Sequence, residues 1–335
     1  MSKTIFIFSD RRGLTLAEKL AAAGHDLCGF VPAAAAFAPQ TSLPQVTSLP
    51  EALGVATVVL SLLEGPAQIE EVYLERNGVL QNAQAGCCFV DLSVTAPRFA
   101  REMHALASVH DCYFADAPLS ANIAGLQPDA ARALLGCEEN IREQVTALLH
   151  DAGLSVLHCG LPGSGAAARI ATLATDAAML LGVAEALAYV RGCKLSDQAA
   201  AEFLLTSPLR SESERALIEM ALQGRFKEGY PLRRFYQEIT VALDAADDLN
   251  LAMPVIETTH QLLDLLMMIG AAEMGVQALT LVFSEEEYCK QWGLDWDLAQ
   301  RFMDVYEHAQ DDYDDYDDDD FDDSDDGFSR RFSTN

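Results

Sequence analysis

Short apolar runs punctuate the first half of the chain. β-Branched, aromatic or otherwise apolar stretches occupy residues 4–8, 27–31, 56–62, 87–92 and 112–116, with weaker ones at 132–136 and 154–158. Between them, apolar positions recur with helical spacing at 13–23, 66–74, 97–108 and 138–152. Strands that alternate with helices in this way predict right-handed βαβ units, and hence a mostly parallel sheet with helices on both faces. The pattern changes after Gly160. Residues 164–191 read as one long Ala- and Leu-rich helix, apolar around most of its circumference, which predicts burial in this chain or against a second copy. Further helices are expected at 196–206, 212–222, 232–249, 255–270 and 295–307, two of them opened by Pro231 and Pro254. The fold class is therefore an α/β domain over 1–162 followed by an all-α domain over 163–308, joined at Leu161-Pro162-Gly163.

Composition adds a third segment. The 335 residues suffice for two domains with a large core, and 50% of them are apolar, as in globular proteins. The net charge of −29 is unevenly spread: residues 311–335 hold twelve Asp and two Arg. Like charges at that density repel, so 309–335 is expected to be a disordered, solvated tail. Tyr313, Tyr316, Phe321, Phe328 and Phe332 interleave its acids, a pattern suited to docking on a basic groove of a protein partner. An acidic chain lacks the basic face that a nucleic-acid backbone needs, so no such partner is expected.

Met1 to Thr4 lead straight into Ile5-Phe6-Ile7-Phe8 and then Asp10, which is no secretory signal. The most apolar run, Ala177 to Val190, contains Glu185 and is short for a membrane span. A cytoplasmic protein without membrane contact is expected, with Glu185 a paired buried carboxylate. The eight cysteines form no Cys-x-x-Cys pair and read as buried reduced thiols. His104 and His110, six apart, are poorly spaced for two ligands on one helix face, and no metal site is expected.

Candidate chemistry begins at Gly163-Ser164-Gly165-Ala166-Ala167-Ala168-Arg169, at the mouth of the long helix. So small a turn, followed by a cation one helical turn in, suits an anion or a carbonyl compound. Four other stretches accompany it in order: Leu20-Ala21-Ala22-Ala23-Gly24-His25, Asp91-Leu92-Ser93-Val94-Thr95-Ala96-Pro97, Asp116-Ala117-Pro118-Leu119-Ser120-Ala121-Asn122, and Tyr236-Gln237-Glu238-Ile239-Thr240-Val241-Ala242-Leu243. Across residues 3–285 the chain resembles the β-hydroxyacid dehydrogenases, the group that includes 3-hydroxyisobutyrate dehydrogenase, tartronate semialdehyde reductase and, more distantly, the imine reductases.

The resemblance implies a Rossmann-like NAD(P)-binding domain and a 6-phosphogluconate dehydrogenase-like helical domain for substrate and dimerisation. It implies hydride transfer between NADP or NAD and a small hydroxy acid, carbonyl compound or imine, in a homodimer or higher homo-oligomer. Cofactor contacts fall on Ser9, Asp10, Arg11, Arg12, Gly13, Leu62, Leu63, Ser93, Val94 and Gln237. Substrate contacts fall on Ser120, Ala121, Asn122, Thr172 and Asp176, and the catalytic position on Arg169.

The departures from the family pattern are chemical. The Gly-x-Gly-x-x-Gly turn, which lets a diphosphate approach a helix N-terminus, matches Phe8, Asp10 and Gly13. Arg11 and Arg12 either grip phosphate oxygens in compensation or are solvated loop charges. Phe30-Val31-Pro32 offers neither an acid for a ribose hydroxyl nor an arginine for a 2′-phosphate. Arg169 takes the place of the family lysine, and a guanidinium orients an anion but gives up no proton. Thr172 stands for an Asn, Gln237 for a second cation, and Ala121 and Asn122 for two glycines. Asp176 is then the remaining carboxylate for acid–base work. Two functions stay open: a divergent NAD(P)-dependent oxidoreductase, or an inactive dehydrogenase-like protein that binds a ligand or partner, with the tail as its interaction element.

Overall fold

The structure, a computed structural model, describes residues 3–33, 35, 37–120, 131–299 and 301. The Asp-rich tail lies outside the described residues. The first half runs β1 (Lys3–Phe8), α1 (Arg11–Ala22), β2 (Asp26–Phe30), α2 (Leu49–Leu53), β3 (Ala56–Leu62), α3 (Gly65–Leu74), α4 (Val79–Asn82) and β4 (Cys88–Asp91). It continues α5 (Pro97–Val109), β5 (Tyr113–Asp116), β6 (Leu119–Ser120), β7 (Arg132–Gly136), α6 (Glu139–Asp151) and β8 (Ser155–Gly160). One sheet results, in the order β2-β1-β3-β4-β5-β7-β6, with β8 beside β7.

β1 to β5 pair in parallel, as the alternation predicts. β7 departs from it, running antiparallel to β5 and β6. Only residues 121–131 separate β6 from β7, too few for a helical crossover, whereas a short connection suits antiparallel strands. Along β1 the side chains alternate: Phe6 and Phe8 pack with Leu14 and Leu20 of α1, while Ile5 and Ile7 pack on the opposite face with residues of α3 and α5. The strand order reverses at β1, which has β2 on one side and β3 on the other. In open α/β sheets that reversal opens a crevice at the strands' carboxyl ends.

The second half is helical: α7 (Ser164–Gly192), α8 (Asp197–Thr206), α9 (Glu212–Leu222), α10 (Leu232–Asp247), α11 (Pro254–Met268), a 3-10 helix (Val276–Phe283) and α12 (Glu286–Lys290). Its core gathers around α7, whose Leu173, Ala177, Leu180, Ala184 and Leu187 pack with Phe235 and Ile239 of α10, Leu263 of α11 and Leu279 of the 3-10 helix. The opposite face of α7 is open: Ala171, Thr175, Ala178, Gly182 and Glu185 are exposed. Glu185 is therefore a surface carboxylate, not the buried paired acid expected, because it falls on this outer stripe. At 29 residues α7 is also long and apolar enough to cross a membrane by length and composition, where the run counted from Ala177 looked short. Five cysteines are buried, but Cys28 and Cys159 are half-buried and Cys193 is exposed. Burial pushes the Cys87 and Cys88 thiols up to about 12.

Gly163 and Gly165 have plain geometric duties. Gly163 adopts φ 91°, the left-handed turn that aims the chain into α7. A side chain on Gly165 would sit 2.0 Å from the Leu134 carbonyl oxygen, so only glycine lets α7 dock on β7. The Asp116 carboxylate seals the helix, accepting the Gly163 and Ala166 N–H groups at 2.7 Å each. Burial pushes its carboxyl up to about 6 against the pull of those bonds.

Candidate active site

A narrow crevice, with a cavity volume of about 30 Å³, lies at the carboxyl ends of β3 and β4, facing α10. Leu62, Leu63, Ser93 and Val94 line its sheet side, and Gln237, Glu238 and Arg234 its helical side. A polar floor fixes the sheet side. The Asp91 carboxylate accepts the Ser93 hydroxyl at 2.6 Å and the Ser61 hydroxyl at 2.8 Å, and the Leu63 N–H donates to Ser93 Oγ at 3.0 Å. Tyr73 shares a 2.7 Å hydrogen bond with Ser61. Burial raises the Asp91 carboxyl and takes the Tyr73 phenol well above its ordinary value. The floor therefore ties the ends of β3 and β4 together through Asp91.

The first turn of α1 closes on itself. Asp10 is the N-cap, and its Oδ1 accepts the Gly13 N–H at 2.9 Å. Its Oδ2 accepts Arg12 Nε at 3.0 Å and also Arg234 Nη2, which arrives from α10. Arg234 Nη2 reaches Glu64 as well, at 2.8 Å, and its guanidinium lies 5.9 Å above the Tyr230 ring. Burial opposes the Asp10 charge, but Arg12 and Arg234 outweigh it and hold the carboxyl below its ordinary value. Of the other residues expected here, Ser9 is buried and donates its N–H to the Leu62 carbonyl, and Arg11 is exposed at the start of α1. Gly13 is required by packing, since a side chain there would lie 2.3 Å from Phe8 Cβ.

Arg169 does not line the crevice but sits buried behind Glu238, which does. Its side chain is 0% exposed and pairs with Glu238 Oε2 at 2.5 Å, Asp176 Oδ2 at 3.3 Å and Thr172 Oγ1 at 3.2 Å. Tyr230 completes the cluster by donating to Glu238 Oε1 at 2.6 Å. Burial disfavours the guanidinium charge, yet Glu238 outweighs it and Arg169 stays protonated throughout. Burial pushes the Asp176 carboxyl up to about 6, despite Arg169 beside it. Ser120 ends β6, half-buried; Ala121 and Asn122 lie outside the described residues. The sequence reading missed Arg234, Glu64, Glu238 and Tyr230. Glu238 carried a usable sign: on α10 it falls on the buried stripe of Leu232, Phe235, Ile239 and Ala242, where an acid needs a buried partner.

Comparison with known proteins places this architecture. Residues 11–160 match the family model of the NAD binding domain of 6-phosphogluconate dehydrogenase, and residues 163–282 that of the NAD-binding domain of NADP-dependent 3-hydroxyisobutyrate dehydrogenase. A probable 3-hydroxyisobutyrate dehydrogenase of Mycobacterium tuberculosis is 30% identical over 200 residues, 59% of this chain and 67% of that protein. The chain belongs to the β-hydroxyacid dehydrogenase family. Another member, the NAD-dependent L-serine dehydrogenase of Pseudomonas aeruginosa, is 26% identical over 91% of this chain and 98% of its own. The solved Mycobacterium tuberculosis 3-hydroxyisobutyrate dehydrogenase with L-serine shares the fold at a TM-score of 0.73, with 23% identity over 85% of this chain and 100% of that one. β-Hydroxyacid dehydrogenases are oxidoreductases that act on CH–OH groups of small molecules, and their cofactor is NAD or NADP.

The two ends of the crevice suit that cofactor unequally. Leu62, Leu63, Ser93, Val94 and Gln237 line the narrow crevice. At the first turn of α1 the Gly13 N–H, Arg12 and Arg234 are all engaged by Asp10. With these donors taken up by Asp10, the turn does not fit a diphosphate.

Proposed function

We propose that the chain is an NAD(P)-dependent oxidoreductase of the β-hydroxyacid dehydrogenase type, acting on a small hydroxy acid, carbonyl compound or imine, with the closed crevice as its resting form. The observation that carries the reading is the crevice itself. It lies at the carboxyl ends of β3 and β4, next to the reversal of strand order, where α/β sheets bind their ligands. In this reading residues 1–162 hold the cofactor, 163–308 form the substrate and dimerisation unit, and 309–335 are the tail. Ser9 to Gly13, Leu62, Leu63, Ser93, Val94 and Gln237 form the cofactor side; Ser120, Ala121, Asn122, Thr172 and Asp176 form the substrate side.

Arg169, which the resemblance aligns with a lysine, acts here as a fixed cation that orients Glu238 rather than as a proton donor. Of its partners, Asp176, with a carboxyl near 6, is the group suited to exchanging a proton close to neutrality. A homodimer follows from the exposed small residues Ala171, Ala178 and Gly182 of α7, which allow a second helix close approach. A cytoplasmic location belongs to the same reading.

The alternative, a dehydrogenase-like body without turnover, draws support from the internal neutralisation of both Arg169 and the α1 turn. The test is a dinucleotide-linked assay over short 3-hydroxy acids and the matching carbonyl compounds, with the parent and Arg169→Lys. We expect slow turnover in the parent and a rise of about 100-fold with lysine, the low end of what positioned proton transfer contributes. Inactivity of both proteins with NAD and with NADP would overturn the reading in favour of the alternative.

A further inference from the structure

We infer that Asp10 sets dinucleotide affinity: its carboxylate is a resident anion that occupies the seat at the N-terminus of α1 and must leave that seat before a diphosphate can enter. The inference rests on the function proposed above and names the residue that regulates its site.

The seat beneath Asp10 is complete. α1 has twelve residues and begins at the carboxyl end of β1. Gly13 still allows the close strand–helix packing that brings the helix start to the crevice, with a hypothetical Cβ only 2.3 Å from Phe8 Cβ. One backbone N–H and two guanidiniums converge on a single carboxylate: Gly13 on Oδ1, and Arg12 and Arg234 on Oδ2. That donor set also matches the oxygens of a diphosphate, which favour a helix N-terminus and bidentate arginine.

The charges point the same way. With Asp10 and Glu64 ionised, Arg12 and Arg234 are fully compensated. An incoming diphosphate would then meet no net positive charge and a carboxylate in its path. Without the Asp10 charge, the same two arginines exceed Glu64 by one. The contact also bridges the molecule. Arg234 belongs to α10, lies 224 residues from Asp10 in sequence, and is only 13% exposed. Asp10 therefore ties the sheet half to the helical half across the crevice mouth, and its release would free both the anion seat and the entrance.

Asparagine at position 10 separates the contributing effects, because it still caps Gly13 but carries no charge. Calorimetric titration of the full chain with inorganic pyrophosphate, and separately with NADPH and NADH, would use the parent, Asp10→Asn, Asp10→Glu and Asp10→Asn/Arg234→Gln. We expect Asp10→Asn to bind pyrophosphate at least about tenfold more tightly than the parent. Asp10→Glu, which restores the charge, should return to the parent's weak binding, and removing Arg234 should cancel the gain. A simple loss of structure would not produce tighter binding that depends on charge. Equal or weaker pyrophosphate binding in Asp10→Asn would overturn the inference, whatever the enzyme assay gives. A gain for pyrophosphate without a gain for either dinucleotide would uphold the seat and count against the proposed cofactor instead.

Discussion

Arg169 and Glu238 meet at 2.5 Å, and both side chains are buried. Removing one partner strands the other as a buried charge, which costs about 3–5 kcal/mol. Arg169→Met should therefore lower stability by about that amount in urea titration at pH 7, and Glu238→Leu added to it should restore most of the loss. A loss below about 1 kcal/mol would show that the pair is not desolvated as described. Asp176 gives a pH signature. Its carboxyl, pushed up to about 6 from an ordinary value of 3.8, binds its proton more tightly in the folded chain than in the unfolded one. Its contribution to stability is thus fully present below pH 3.8 and lost as pH rises through about 6. Asp116 titrates in the same direction, so the informative quantity is the difference from Asp176→Asn, whose stability should fall less between pH 4 and 7 than the parent's. Parallel pH profiles would contradict the assignment. The sequence singled out Arg169, whereas Glu238, a charge on the buried stripe of α10, was missed although its position was a usable sign. Their meeting, 69 residues apart, was not legible, because it depends on how α7 crosses α10.

At the scale of elements, the helices and strands were largely readable because each carries its own period. β1 alternates between two cores, and α7 and α10 repeat at helical spacing. What escaped was set by tertiary contact: β6 has only two residues, and the reversed β7 follows from the short connection rather than from any pattern within it. The Gly-Ser-Gly turn looked like an anion site, yet its glycines serve a left-handed turn and a close helix–sheet approach, and the helix start is sealed by Asp116. The same logic makes Gly13 intolerant. In Gly13→Ala the new methyl would lie 2.3 Å from Phe8 Cβ, an atom too close to the backbone to swing aside. α1 must then move off β1, at a cost of about 1–3 kcal/mol, read as a lower midpoint in thermal or urea unfolding. An unchanged midpoint would mean that α1 is not seated so closely on its strand.

For the whole molecule, two halves with separate cores meet along α10, and charged side chains bridge them. Arg98 of α5 also pairs with Asp248 at the end of α10, at 2.8 Å, so sheet and helices are tied at both ends of α10. The outer stripe of α7 leaves the second half incompletely covered. Ala178→Arg, placed on that stripe, should convert a dimer to a monomer in light scattering, whereas a parent already monomeric would remove the proposed interface. The central claim concerns the crevice: it is a dinucleotide site that rests closed. Fluorescence titration of the full chain with NADPH tests it most directly. The account predicts saturable but weak binding, with Kd above about 100 μM, because part of the interaction is spent displacing Asp10. Binding at low micromolar Kd would show that the mouth stands open and would contradict the account.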